Sequence, residues 1–332
     1  MKRFINLIVF LLVLALSSSA FAKERKGVFT MNFEIKKGKG HNTRLWIPYP
    51  LSDEFQKISD VRIDGNYDHY AVYHSPQAES TYIYAEWKNP SETPKLTFTF
   101  RAEAKERSVD GFNEQGTIPV EISRYLKSER FLPTDGKIKE IAEKITKGKR
   151  GILEKARAIY DWTVENTYRD PRVKGCGRGI VEETLAKRGG KCADISSVFV
   201  ALARAAGVPA RDVFGIRLAK KPEKDMTKGF HCWAEFYLPG TGWVPVDPAD
   251  VRKIMLIKKL SLEEAESYRE YYFGRVDQYR IVLTHSSRGA VLEPPTGSCL
   301  NYFMYPYAEV DGEPLDYLDP KSFTYNVKFR AL

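Results

Sequence analysis

A chain of 332 residues with 43% hydrophobic and 13% aromatic content is long enough to bury a full core, which excludes a disordered or low-complexity protein. Its formal charge of +9 comes from Lys and Arg dispersed in small groups such as Lys36-Lys37-Lys39 and Lys220-Lys221. No aromatic-laced basic stripe appears, so the pattern argues against nucleic-acid binding and for an ordinary solvated basic surface, drawn at most to an anionic envelope.

The chain opens with MKRFINLIVFLLVLALSSSAFAKERK, in which Lys2 and Arg3 precede an apolar run from Phe4 to Leu16 and the A-x-A triplet Ala20-Phe21-Ala22 follows. This pattern predicts a signal peptide over 1–22, cleaved after Ala22, and an exported protein, periplasmic or secreted. Loss of Lys2 and Arg3 lowers the charge from +9 to +7. The apolar run is short for a membrane span of about 20 residues, and no later stretch could cross a bilayer.

Residues 23–110 alternate and turn: short runs rich in aromatic and β-branched residues, such as TYIYAEWK and KLTFTFRAEA, are divided by Gly, Pro, Asn and Asp. They predict an antiparallel β-sandwich, with a polar linker over 106–117. Residues 111–260 read as a second, α+β unit. Ile152, Ala156, Ile159 and Thr163 recur at helical spacing, and a short helix in IVEETLAKRGG ends at Gly189-Gly190, which suit a left-handed cap. From Cys192 the apolar positions Ile195, Val198, Phe199, Leu202, Ala203 and Ala206 predict a buried helix that stops at Gly207-Val208-Pro209. ARDVFGIRLA and HCWAEFYLPGTGWVPVDPAD then switch to strand period, with a turn at Pro239–Gly242. Residues 261–332 add a helix with a capping box, Ser261 to Glu264, and a C-terminal β extension.

Four cysteines, Cys176, Cys192, Cys232 and Cys299, lie far apart without a C-x-x-C pair. A metal site is not expected, and whether Cys176, Cys232 or Cys299 join a disulfide stays open. Cys192 sits at a helix start, where unpaired backbone N–H groups and the helix dipole favour a thiolate and can hold an oxyanion. A nucleophile so placed needs a base, and the base needs an acceptor to fix its tautomer. His231 opens one strand and Asp247 closes the next, 39 and then 16 residues further on. On that strand His231, Trp233, Glu235 and Tyr237 share one face, while Cys232 turns to the opposite, apolar face as a core residue. Asp194, in the first helical turn, reads as a capping group.

The blocks GGKCADISSVFVALARAAGVPAR, HCWAEFYLPGTGWVPVDPAD and AIYDWTVENTYRD together resemble the transglutaminase-like superfamily, a papain-like group, over about 150–250. That resemblance implies a papain/transglutaminase-like catalytic core with Cys192 as nucleophile, His231 as general base and Asp247 orienting the imidazole. It also implies an oxyanion group upstream of the cysteine, where this chain offers Tyr168, Trp162 and Asn166, with Tyr168 preferred. The expected chemistry is acyl transfer on amide bonds of a peptide or protein, hydrolysis favoured over cross-linking, without cofactor. The rival expectation is a non-catalytic envelope scaffold that presents Trp46, Tyr67, Tyr70, Tyr82 and Tyr84 on the sandwich surface.

Overall fold

The computed structural model describes residues 24–36, 41–76, 79–285 and 288–332; the predicted signal peptide lies outside them. Six strands come first: β1 (Glu24–Glu34), β2 (Asn42–Pro48), β3 (Gln56–Gly65), β4 (His69–Ser75), β5 (Ser80–Lys88) and β6 (Lys95–Lys105). In β6 the alternation is complete: Leu96, Phe98, Phe100, Ala102 and Ala104 are buried, and the residues between them face outward. Burying one such ring contributes about 2 kcal/mol.

The central part runs through β7 (Arg107–Ser108), α1 (Gly136–Ile145), α2 (Gly151–Asn166), β8 (Tyr168–Arg169), α3 (Val181–Lys187), β9 (Gly189–Gly190) and α4 (Cys192–Ala205). It continues with β10 (Ala210–Arg217), β11 (Glu223–Asp225), β12 (Phe230–Leu238), β13 (Gly242–Val246), α5 (Pro248–Lys258), α6 (Glu266–Tyr271), β14 (Arg275–Val276) and β15 (Arg280–Thr284). The chain closes with β16 (Tyr307–Val310), β17 (Glu313–Pro314) and β18 (Thr324–Ala331).

Two five-stranded sheets, β11-β18-β1-β6-β3 and β17-β16-β2-β5-β4, form the sandwich around Phe29, Phe33, Leu45, Ile83, Trp87 and Phe100. The C-terminal segment is therefore part of it: β18 pairs with β1, Phe329 opposite Phe29, and β16 pairs with β2. Trp46, Tyr82 and Tyr84 are buried, packed with Leu292 and Phe303, whereas Tyr70 is 44% exposed and Tyr67 is half-buried. A third sheet, β13-β12-β10-β15, carries α4 across it; every residue of α4 from Cys192 to Arg204 is buried. β12 is covered on both faces, so its alternation separates two cores rather than core from water.

One expected cap is elsewhere. Arg188, with φ 55°, takes the left-handed position that ends α3. Gly189 and Gly190 are extended and pair in parallel with Tyr168 and Arg169. They are glycine because of close approach: an added Cβ would lie 2.2 Å from the Tyr168 ring at Gly189 and 2.4 Å from the Asp194 Cβ at Gly190. The Ser261–Glu264 capping box forms both reciprocal hydrogen bonds, in a turn just ahead of α6.

Candidate functional site

Three backbone devices fix the start of α4. Asp194 accepts from the backbone N–H of Lys191 at 2.9 Å, Arg178 at 2.9 Å and Gly179 at 2.8 Å, tying the 176–179 loop to the first turn. Gly177, with φ +94°, lets that loop pass the Asp194 carboxylate, which a Cβ there would meet at 1.9 Å. Ala193 N–H donates to the Cys176 carbonyl at 2.9 Å. The Cys192 N–H beside it has no hydrogen-bond partner among the described residues.

Cys192 is 1% exposed, and its sulfur lies with those of Cys176 and Cys232, all within 4.8 Å of one another. No disulfide joins them, and Cys299 is exposed and unbridged. Cys232 is a core residue, as its strand phase indicated, but its thiol points into this cluster and touches Met304 Sδ at 3.7 Å. Burial pushes the Cys192 thiol up; hydrogen bonds from Cys176, Cys232 and His231, with the imidazole's charge, outweigh it and hold the thiol well below its ordinary value. The other two move the opposite way. Hydrogen bonding to Cys192 raises Cys176, and burial raises Cys232. The negative charge of the cluster therefore settles on Cys192.

His231, on β12, donates from Nε2 to Asp247 Oδ2 at 2.7 Å, both side chains being buried. That bond leaves Nδ1 as the ring nitrogen able to take a thiol proton. Asp247 follows β13 directly and caps α5, its Oδ1 accepting from Asp250 N at 2.8 Å. Behind it stands Arg280, which ion-pairs with Asp247 through Nη1 and with Asp250 Oδ2 through Nη2 at 2.8 Å. Asp250 lies 3.7 Å from His231 Nε2, and both its carboxylate oxygens accept from the single Nη2 of Arg217, at 2.5 and 2.6 Å. Burial would raise the Asp250 carboxyl, but Arg217, His231 and Arg280 carry it well below the usual carboxylate range.

His231, Asp247 and Asp250 are close enough to share a cation, yet their carboxylates already neutralise Arg217 and Arg280, so the charge is balanced without one. The three thiols could hold a soft metal ion, at the expense of Cys192 as a nucleophile.

Cys176 and His231 line a cleft of about 680 Å³ together with the aromatic side chains of Tyr305, Tyr317 and Phe323. Tyr168, Trp162 and Asn166 are not among its lining residues. Tyr168 lies over Gly189 and is 41% exposed, Trp162 stacks under the Arg188 guanidinium at 5.0 Å, and Asn166 donates back to the Trp162 carbonyl at 3.0 Å. Sequence reading had also missed Arg280, Arg217, Asp250 and the thiol neighbours of Cys192. Asp250 had a signal, since a second acid three residues after Asp247 falls in the same helical turn; Arg280 had none.

The profile of the transglutaminase-like superfamily matches residues 139–248, which include Cys192, His231 and Asp247. The chain is 38% identical over 335 residues to an uncharacterized protein of Haemophilus influenzae, covering 92% of this chain and 91% of that one. It is 29% identical over 139 residues to YebA of Bacillus subtilis, an uncharacterized protein, covering 38% of this chain and 19% of YebA. In three dimensions it is similar to a candidate cysteine protease of Cytophaga hutchinsonii, with a TM-score of 0.56 at 17% identity, over 93% of this chain and 98% of that one; at that identity the likeness speaks for the fold. With a matched core around Cys192 and a relative aligned over nearly its whole length, the chain belongs to the transglutaminase-like superfamily.

Proposed function

We propose that the protein is a thiol-dependent acyl-transfer enzyme, a cysteine peptidase or amidase, with Cys192 as nucleophile, His231 as general base and acid, and Asp247 as the group that orients the imidazole. The 2.7 Å bond from His231 Nε2 to Asp247 carries this reading, because it fixes the tautomer that leaves Nδ1 free for the thiol. His231 takes the Cys192 proton and the sulfur attacks an amide carbonyl. The unpartnered Cys192 N–H at the positive end of α4 faces the developing oxyanion. His231 returns the proton to the departing amine, then draws one from water as water attacks the thioester. Hydrolysis is favoured over amine transfer because the charged lining of the cleft admits water.

The scaffold alternative needed a broad aromatic surface on the sandwich, and burial of Trp46, Tyr82 and Tyr84 leaves it without that support. The basic and apolar pattern of residues 1–22 supports action outside the cytoplasm, on an envelope or secreted peptide.

The test is iodoacetamide labelling at neutral pH with mapping of the sites by mass spectrometry, exposed Cys299 serving as the reference thiol. Preferential modification of Cys192 over Cys176 and Cys232, lost in His231→Ala, is expected. Uniform slow labelling of the buried thiols would sink the triad. Incubation with a glutamine-containing peptide and a primary amine then separates hydrolysis from amine transfer by product mass.

A further inference from the structure

Cations that are scattered in the sequence converge on the cleft. Arg169, Lys174, Lys191, Lys228 and Lys253 line it and make no ion pair among the described residues. They come from β8, the loop after it, the residue capping α4, the turn before β12, and α5, so they surround the opening instead of forming a stripe. Arg172 and Arg217 join them, paired to Asp170 and Asp250. No Asp or Glu lines the cleft among the described residues. Here the dispersed basic residues expected to form a solvated surface line a common cleft.

Two details indicate that the charge is held for a ligand. Nη1 of Arg169 is buried without a hydrogen-bond partner, a donor that costs free energy until an acceptor meets it. Lys253 is partly buried, and burial together with the neighbouring Arg217 and Arg169 depresses its ammonium against the opposing pull of Asp250 and Cys192. The aromatic wall, where Tyr305 stacks on Tyr317 at 4.6 Å and packs against Phe230 at 4.8 Å, lowers the local dielectric and strengthens attraction to an anion.

We infer that the cleft selects an acidic peptide, with carboxylates on both sides of an amide held at His231 and Cys176, whose sulfur lies within 4.8 Å of that of the buried Cys192. The inference rests on the acyl-transfer reading for the amide itself; the carboxylates follow from the ring of cations around the opening. A bare phosphate polymer would satisfy the charge but offers no amide.

The test is fluorescence anisotropy with the full chain carrying Cys192→Ala and three labelled peptides of equal length, rich in Glu, Gln or Lys. The Glu peptide is expected to bind about tenfold more tightly than the Gln peptide at about 50 mM salt, with the gap closing at about 500 mM. The double variant Lys174→Glu, Lys228→Glu, with an unchanged circular-dichroism spectrum, is expected to lose the preference. Equal binding of Glu and Gln peptides, or a preference that survives the double variant, would overturn the inference. Tighter binding of inorganic polyphosphate or of phosphatidylglycerol vesicles than of the Glu peptide would overturn its peptide assignment. If the active chain turns over none of these peptides while Cys192→Ala still prefers Glu, the acyl-transfer reading fails and the charge selection stands. Turnover without charge preference gives the reverse.

Discussion

Arg280 and Asp247 form an ion pair in which the side chains are 1% and 0% exposed, placing a full positive charge directly behind the carboxylate that holds His231. Two charges taken out of water are stable there because each is met several times over: Arg280 also holds Asp250 and Asp277 and lies against the faces of Trp233 and Tyr272. Arg280→Met leaves Asp247 and Asp250 short of a partner, and the expected loss is about 3–5 kcal/mol in urea unfolding. Arg280→Lys keeps the charge but not the fork, so an intermediate loss is expected. Equal stability of all three proteins would mean that the network is structurally idle.

The depressed Cys192 thiol gives a pH signature. In the native chain iodoacetamide modification of Cys192 should slow much less between about pH 8 and pH 6 than the roughly tenfold per unit of an ordinary thiol near 8.5. In His231→Ala the thiol keeps its burial and loses the imidazole, and its modification at pH 7 should fall by about 100-fold. Identical profiles in the two proteins would remove His231 from the reaction.

Cys176 and Cys232 set an alkaline limit. Both are raised in the fold, the first by its bond to Cys192 and the second by burial. The unfolded chain therefore releases these protons near about pH 8.5 while the folded chain retains them, so above that pH the unfolded state binds fewer protons and stability falls as pH rises. Below pH 8.5 their contribution is fully present. Each thiol adds a slope of up to about 1.4 kcal/mol per pH unit, and urea midpoints at pH 8, 9 and 10 should fall less steeply in Cys176→Ala than in the native chain.

Asp194 joins two pieces of backbone that hold Cys192. Asp194→Ala orphans the N–H groups of Arg178, Gly179 and Lys191, with an expected cost of about 3 kcal/mol and slower Cys192 labelling. Asp194→Asn keeps an acceptor for Arg178 and Gly179 but turns a donor toward Lys191, and should recover part of both losses. Denaturant titration and labelling on the same samples check the pair.

What the sequence carried were the local rules. The apolar spacing after Cys192 located α4 and the period-2 stretch at Leu96–Phe100 located β6, whereas α5, which starts at Pro248, had been read as part of a strand block. What escaped were pairings that no local rule reaches. Arg280 meets Asp247 from 33 positions away, through the place of β15 in the sheet. Strand phase correctly set Cys232 on the opposite face from His231 but could not say what lay beyond that face, since both faces of β12 are covered. The charge of the cleft was hidden for the same reason: Lys174 and Lys228 line one opening only once the loop between β8 and α3 and the turn before β12 come together.

The wall formed by Tyr305, Tyr317 and Phe323, and the strand β18 that anchors it against β1, come late in the chain. During synthesis Cys192 and His231 are both made before any residue of that wall. The cleft is complete only after the sandwich has received its last strand, so a chain truncated before Tyr305 keeps the Cys192 thiol without the aromatic side chains that line the cleft.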